Sequence, residues 1–165
     1  MKYIATIEDI DAHAVYVVEA LAERGWTISF AESCTAGLAA ARLVDVPSAS
    51  KVFGSSFVTY SNEAKVKFTG ISGDTIRTKG VVSEEVAVQM ARGAARASDA
   101  QVGVGITGFA GPAGGTEEKP AGTVCFGFVI DGEPYSATKK FGDIGRDAVR
   151  NASVEYVFSF LASIL

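Results

Sequence analysis

Amphipathic helical segments alternate with short β-prone runs along almost the whole chain, and this alternation restricts the fold more than any other feature. The predicted helices lie at residues 7–23, 35–44, 61–65, 83–97 and 146–165. The predicted strands lie at residues 26–31, 53–60, 101–107, 123–130 and 135–141. Helices interleaved with strands predict a single α/β domain over residues 1–165, a three-layer α/β/α sandwich with a mixed sheet.

Local signals mark the ends of several elements. Gly25 is expected to end the first helix, which turns Ile10, Ala14, Val17, Val18 and Leu21 toward the core. The sequence from Asp131 to Pro134 predicts a β-hairpin turn between two strands. In the last helix we expect the buried positions to be Val149, Tyr156, Val157, Phe160 and Ile164.

Composition excludes several classes of protein. The net charge of −4 offers no basic footprint for nucleic acid, and no apolar run approaches the roughly 20 residues that cross a bilayer. The N-terminal segment is acidic where a signal peptide would be basic and apolar. We therefore expect a soluble, cytoplasmic protein without nucleic-acid or membrane partners.

Two cysteines and one histidine, His13, do not provide a zinc site of the usual spacing or a disulfide framework. Cys125 lies in the apolar run TVCFGFVI and is expected to be an inert core thiol. We expect no metal and no cofactor.

Polar clusters follow three of the predicted strands, at residues 32–35, 60–65 and 107–115. Ligands of α/β sheets gather at the carboxyl ends of strands. The fold therefore predicts that these three clusters converge on one site.

Ser33, in the stretch FAESCTAG, has two interpretations. A serine between strand and helix is commonly a helix N-cap, but it can also be a mounted nucleophile. G-x-S-x-G is absent, and His13 lies early in the first helix, so a nucleophile here would need a base other than histidine. Cys34 ranks below Ser33 because no local cation would stabilise its thiolate.

Lys65, in YSNEAK, is the candidate base. The positive end of its helix and partial burial would lower the pKa of its ammonium, and a neutral lysine can accept a serine proton. The alternative is a solvated lysine that pairs with Glu63. Lys67 would face elsewhere, and Tyr60 could either hydrogen-bond the dyad or simply pack.

The stretch GVGITG at residues 103–108 is followed by FAGPAGG, which cannot open the helix that a dinucleotide fingerprint requires. The glycine-rich loop could instead cradle a phosphate or a sugar, or form ordinary turns. Arg146 could bind a phosphate or pair with Asp143 or Asp147. Backbone N–H groups at the helix start after Ser33 could bind an oxyanion or only be capped.

Six stretches in order resemble the CinA C-terminal domain family over nearly the whole chain: AESCT (31–35), TYSNEAK (59–65), GVVSE (80–84), GITGFAGPAGG (105–115), KPAGTV (119–124) and GRDAVR (145–150). The family is known for nicotinamide mononucleotide (NMN) amidohydrolase activity, which yields nicotinic acid mononucleotide and ammonia through a metal-free Ser-Lys dyad. Ala36 replaces a glycine that is common in the family, and Phe109 replaces an isoleucine. Ala36 is expected to alter substrate fit.

The resemblance implies that Ser33 is the nucleophile, Lys65 the base and Tyr60 a helper. The substrate-binding residues that it implies are Thr35, Thr107, Gly108, Gly111, Gly114, Gly115 and Arg146. We expect a homo-oligomer, with Phe158 and Phe160 as candidate interface residues. Two alternatives remain: a non-catalytic nucleotide-binding or regulatory module of the competence-associated kind, and an amidase for another small amide.

Overall fold

The computed structural model describes residues 7–165, with side chains from residue 12 onward. Within these residues, one short 3₁₀ helix (Ala49–Lys51) accompanies the helices and strands. The α-helices are α1 (Ile7–Arg24), α2 (Leu38–Val44), α3 (Asn62–Thr69), α4 (Gly73–Lys79), α5 (Glu84–Ser98) and α6 (Arg146–Ile164). The strands are β1 (Ile28–Glu32), β2 (Phe57–Val58), β3 (Val102–Gly108), β4 (Thr123–Ile130) and β5 (Glu133–Lys140).

The strands form one mixed sheet in the order β2-β1-β3-β4-β5. β1 runs parallel to β2 and β3, whereas β4 is antiparallel to both β3 and β5. The carboxyl ends of β1, β2 and β3 therefore lie at the same edge of the sheet. This arrangement brings together the polar clusters that follow these three strands.

Helices cover both faces of the sheet. Phe30 of β1 packs into the larger core with α1, α2 and α6, while the next residue, Ala31, packs with α5 on the opposite face. α3 and α4 pack against α5 in the same layer. The predicted three-layer α/β/α fold with a mixed sheet is confirmed.

Glycines on the α5 face of the sheet let this helix approach closely. A Cβ atom on Gly105 would lie 2.0 Å from the carbonyl oxygen of Ala87, and one on Gly103 would lie 2.1 Å from that of Ala91. The absence of side chains at these positions lets the backbone of α5 lie directly against the sheet.

The segments that follow β1 and precede β2 differ from the prediction. α2 begins at Leu38 instead of residue 35 because Ala36 (φ 49°) and Gly37 (φ 94°) have left-handed backbone conformations. β2 contains two residues instead of the predicted 53–60. Ahead of it, the hydroxyl of Ser56 donates to the carbonyl of Phe30 at 3.2 Å.

Three further bounds differ from the predictions. α3 extends to Thr69 and ends at Gly70, whose φ is 68°. α4 was not predicted, because none of its residues is buried and it therefore lacks an apolar stripe. β5 begins two residues earlier than predicted, since Asp131 (φ 50°) and Gly132 (φ 88°) alone form the hairpin turn.

Most predicted core positions of α1 and α6 are correct. Ala14, Val17, Val18, Leu21, Val149 and Val157 are buried, and Tyr156 and Phe160 are half-buried. The prediction for Ile164 is wrong, since 37% of it is exposed. Ile10 lies outside the residues whose side chains are described.

The prediction of Phe158 as an interface residue is wrong, since it is wholly buried in the core of its own chain. Phe160 packs against Phe128, with ring centroids 4.2 Å apart. Neither observation tests association, which stays a prediction. None of the described helices is long and apolar enough to cross a membrane.

Candidate active site

Ser33 and Lys65 are in direct contact at the carboxyl edge of the sheet. Ser33 follows β1 directly, and Lys65 lies in the first turn of α3. The Lys65 Nζ lies 2.9 Å from the Ser33 Oγ, and both residues are buried. The fold thus joins two residues that are 32 positions apart in the sequence.

Two backbone carbonyls orient the amine of Lys65. Its Nζ donates to the carbonyl of Thr59 at 2.8 Å and to that of Tyr60 at 3.2 Å. A neutral amine has two N–H donors and one lone pair. With both donors used by carbonyls, the lone pair is left to accept the hydroxyl proton of Ser33.

Burial lowers the pKa of Lys65 from 10.5 to about 8. Desolvation penalises the ammonium form, and a carboxylate that could restore the pKa is missing, since no ion pair among the described residues involves Lys65. The alternative of a solvated lysine paired with Glu63 is therefore wrong. A substantial fraction of Lys65 is neutral near pH 8.

Ser33 does not cap α2. The buried carboxylate of Glu32 accepts hydrogen bonds from the N–H groups of Gly37 (3.1 Å), Ala39 (3.1 Å) and Ala40 (2.9 Å). The cap interpretation of Ser33 is wrong, and the N-terminus of α2 is not a free anion site. Sequence reasoning missed Glu32, although an acidic residue just before a helix is a known N-terminal signal.

The turn between Ser33 and Gly37 is also held from α6. Arg150 donates from Nε to the carbonyl of Cys34 at 3.1 Å and from Nη2 to that of Thr35 at 3.2 Å. Among the hydrogen bonds of the described residues, none is donated by the N–H of Cys34 or of Thr35. Thr35 is fully buried, so of these two residues only Cys34 borders the space next to the nucleophile.

A cavity of about 230 Å³ opens onto the dyad. The predicted site residues that line it are Ser33, Tyr60, Lys65, Thr107, Gly108 and Arg146. The lining residues that were not predicted as site residues are Cys34, Asn62, Val81, Val82, Phe109, Ala110 and Ala113. The latter are mostly small or apolar, so composition alone gave no signal for them.

Tyr60 and Arg146 lie together at the mouth of this cavity. Arg146 donates from Nη2 to the Tyr60 hydroxyl at 3.2 Å and from Nη1 to the carbonyl of Gly111 at 2.8 Å. Both residues are exposed. Tyr60 therefore contacts the dyad through its carbonyl, not its phenol, and Arg146 pairs with neither Asp143 nor Asp147.

Thr107 and Gly108 line the cavity at the end of β3. The hydroxyl of Thr107 donates to the carbonyl of Val81 at 2.9 Å, so its oxygen can still accept a hydrogen bond from a ligand. A side chain at position 108 would meet Val124 at 2.7 Å, which explains the glycine.

Four predicted binding residues are not among the described residues that line the cavity. Thr35 is fully buried beneath the turn, and its hydroxyl has no partner in the described structure. The carbonyl of Gly111 accepts a hydrogen bond from Arg146. Gly114 and Gly115 lie farther along the loop. Ala36 is also outside the cavity and exposed. Its methyl group therefore affects the backbone conformation at this position and does not narrow the pocket.

Neither cysteine is a competing nucleophile. Burial raises the pKa of Cys34 to about 11 and also raises the pKa of Cys125, so both are thiols at neutral pH. Among the described residues, no group of three or more His, Cys, Asp or Glu side chains could hold a metal ion.

A larger groove of about 840 Å³ lies between α5 and β5, away from the dyad. Its hydroxyl groups are used internally: Ser136 and Thr138 donate to Glu84, and Ser83 donates to the carbonyl of Gly80. It contains no base-activated nucleophile. We therefore assign the candidate active site to the smaller cavity.

The family model of the CinA C-terminal domain matches residues 10–165. The chain belongs to the CinA C-terminal domain family. It is similar to a solved structure of the competence/damage inducible protein CihA from Agrobacterium tumefaciens, with a TM-score of 0.91, 37% identity and coverage of 99% of this chain and 98% of that chain. A CinA superfamily protein from Escherichia coli gives a TM-score of 0.92 at 32% identity, covering 100% and 96% of the two chains.

Among CinA relatives, a CinA-like protein from Kosmotoga olearia is 45% identical over 152 residues. The alignment covers 90% of this chain and 36% of that protein. A CinA-like protein from Fervidobacterium nodosum is 42% identical over 159 residues, with 96% and 38% covered. The chain thus spans little more than a third of the length of the curated relatives it matches.

Proposed function

We propose that this CinA domain is an amidohydrolase that converts nicotinamide mononucleotide to nicotinic acid mononucleotide and ammonia. The observation that carries the proposal is the 2.9 Å contact between Lys65 Nζ and Ser33 Oγ, in which two carbonyls leave the amine lone pair for the serine proton. The family resemblance supplies the substrate.

Proton transfer between Ser33 and Lys65 drives both half-reactions. The Ser33 Oγ attacks the carboxamide carbon while its proton passes to the Lys65 Nζ. The C–N bond then breaks, and the ammonium of Lys65 protonates the leaving nitrogen, which departs as ammonia. Water attacks the acyl-enzyme through the same lysine, which releases the carboxylic acid and restores the serine.

The turn after Ser33 offers a donor for the tetrahedral intermediate. The N–H of Cys34, a residue that lines the cavity, donates to no acceptor among the hydrogen bonds of the described residues, whereas the N–H of Phe109 in the loop after β3 already donates to the Thr123 carbonyl. We therefore favour the Cys34 N–H over that of Phe109 as an oxyanion donor. Removal of one such donor typically raises the activation barrier by roughly 2.7 to 4 kcal/mol.

Size and charge suggest how the substrate lies. The cavity is smaller than the roughly 300 to 1,000 Å³ of pockets that enclose a drug-sized ligand. We infer that the pyridine carboxamide enters it and that the phosphate stays at the mouth. There the guanidinium of Arg146, supported by Tyr60, offers a planar donor pair for phosphate oxygens.

The test is ammonia release from the mononucleotide by protein treated with a metal chelator, with the acid product confirmed by mass spectrometry. We expect turnover by the unsubstituted protein and by Ser163→Ala, whose hydroxyl bonds within its own helix, but not by Ser33→Ala. Turnover of other pyridine amides alone would assign a different amide substrate. Binding of the mononucleotide without ammonia release from any amide would contradict the proposal and favour a nucleotide-binding module.

A further inference from the structure

The cavity at the dyad has an apolar wall. Val81, Val82 and Phe109 line the cavity, and all three belong to one hydrophobic cluster with Ala87 and Cys125. Phe109 is half-buried, so part of its side chain stays accessible from the cavity. The wall therefore offers one aromatic ring to a bound molecule.

The sheet fixes the position of Phe109. Its N–H donates to the carbonyl of Thr123 at 2.9 Å, and its carbonyl accepts a hydrogen bond from the N–H of Gly122 at 2.6 Å. These bonds extend the pairing of β3 with β4 beyond Gly108. Phe109 is thus held by the sheet, although it begins the glycine-rich loop.

Phe109 faces the same side of the sheet as the dyad. Side chains alternate along a strand, so Phe109, Thr107 and Gly105 share the face that meets α5. Ser33 continues the parallel register of β1 beside Thr107, since its N–H donates to the carbonyl of Ile106. Phe109 lies two residues, or roughly 7 Å, beyond Thr107. A carboxamide placed beside Ser33 and Thr107 would therefore have its attached ring next to Phe109.

No acidic side chain is among the described residues that line the cavity, whereas Lys65 and Arg146 are basic. The buried carboxylate of Glu32 lies on the other face of the sheet, where its oxygens accept hydrogen bonds from N–H groups at the start of α2. A cationic ligand would therefore find no carboxylate among these residues to balance its charge.

The ring of NMN is such a cation. Its pyridine nitrogen carries the ribose and is therefore quaternary, and the positive charge is delocalised over the ring. The face of an aromatic side chain attracts a cation, and proteins commonly bind quaternary ammonium groups in this way. Phe109 lies where this ring is expected, whereas Tyr60 lies at the mouth with Arg146.

We infer that Phe109 is a specificity-determining residue: its phenyl ring binds the pyridinium of NMN and so favours N-substituted pyridinium amides over neutral amides of the same shape. This inference rests on the proposed function for the identity of the ligand. The isoleucine that is common in the family at this position would keep the wall apolar but has no aromatic face. Phe109→Ile therefore separates the attraction for ring charge from apolar packing, and Phe109→Tyr retains both.

The test is isothermal titration calorimetry with two nucleotides that differ in ring charge. NMN has the pyridinium ring, and its reduced form has an uncharged dihydropyridine ring with the same carboxamide, ribose and phosphate. Both are titrated into Ser33→Ala, which cannot consume NMN by the proposed reaction, and into the same protein with Phe109→Ile, Phe109→Tyr or the control Phe68→Ile. Phe68 is 50% exposed on α3 and is not among the described residues that line the cavity.

We expect Phe109→Ile to raise the Kd of NMN about 3- to 30-fold more than it raises the Kd of the reduced form, because only NMN loses the attraction between a cation and an aromatic face. Phe109→Tyr should keep the ratio of the two dissociation constants that Ser33→Ala alone gives. Phe68→Ile should change neither constant.

An equal change in both dissociation constants, or no change in either, would overturn the inference and leave the proposed function intact. If Phe109→Ile does not fold, Phe109→Leu decides the question by the same criterion. The expected dependence on Phe109 without ammonia release by the native protein would support the inference and refute the amidohydrolase proposal. Absence of binding of both nucleotides would overturn the inference, while ammonia release by the native protein would still decide the proposed function.

Discussion

Ser33 and Ser61 occupy equivalent places in the sequence, each at the end of a strand and before a helix, but their hydroxyls do different work. The Ser61 hydroxyl accepts a hydrogen bond from the N–H of Ala64 at 3.0 Å and caps α3. The Ser33 hydroxyl bonds the amine of Lys65, and Glu32 caps α2 in its place. Because Glu32 caps α2, the hydroxyl of Ser33 can bond to Lys65 instead of to the backbone of the helix.

The two turns also differ in their backbone. The turn at Ser61 enters its helix directly, whereas the turn at Ser33 passes through left-handed conformations at Ala36 and Gly37 before α2 begins. This detour separates Ser33 from the first turn of α2 and exposes the carbonyls of Cys34 and Thr35 to Arg150. A charged residue on each side, Glu32 and Arg150, holds the turn in that shape.

The largest difference that we expect between substitutions of these two serines is in turnover. Ser33→Ala should lower kcat by roughly 10⁴-fold or more, as loss of a catalytic serine does in other hydrolases. Ser61→Ala should keep near-native turnover per folded molecule but lose about 1 kcal/mol of unfolding free energy, because it removes a helix cap. Ammonia release and urea unfolding measure the two quantities. Equal losses of turnover in both variants would show that the serines do not differ as described.

A smaller effect, on stability, tests the left-handed backbone conformation of the turn after Ser33. Ala36 has φ 49°, where its methyl group is strained, so Ala36→Gly should raise the unfolding free energy by about 0.5 to 1 kcal/mol after the entropic cost of glycine. The control Ala40→Gly, inside α2, should lower it by about 1 kcal/mol. Denaturant midpoints provide the measurement. If both substitutions destabilise the protein alike, Ala36 is not strained.

The substrate KM of Ala36→Gly should be unchanged, since Ala36 lies outside the cavity. A large change in KM would return Ala36 to the role in substrate fit that the sequence suggested.

Much of the fold could be predicted because its long elements have strong periodic patterns. α1, α5 and α6 each have an apolar stripe, and β3 and β4 are apolar runs bounded by turn residues. β2 and α4 could not be predicted with correct bounds. β2 is two residues long, and α4 buries no side chain, so neither has a periodic signal.

Site residues with distinctive side-chain chemistry could be predicted from the sequence. Residues that act by binding backbone groups were not predicted. A polar cluster after a strand led to Ser33 and Lys65, although only the parallel pairing of β1 and β2 brings them together. Glu32 and Arg150 were missed because each binds backbone groups. An acidic residue just before a helix is a signal that could have indicated Glu32, whereas the contact of Arg150 has no counterpart in the sequence.

The central claim is that a buried, neutral Lys65 activates Ser33, and the pH dependence of kcat/KM for ammonia release tests it most directly. Since the neutral amine is the active form and burial lowers its pKa to about 8, kcat/KM should rise with pH and level off above an apparent pKa near 8. Lys65→Met should have lost this activity at every pH. A profile that stays flat from pH 6 to roughly pH 10, or a native rate in Lys65→Met, would contradict the account.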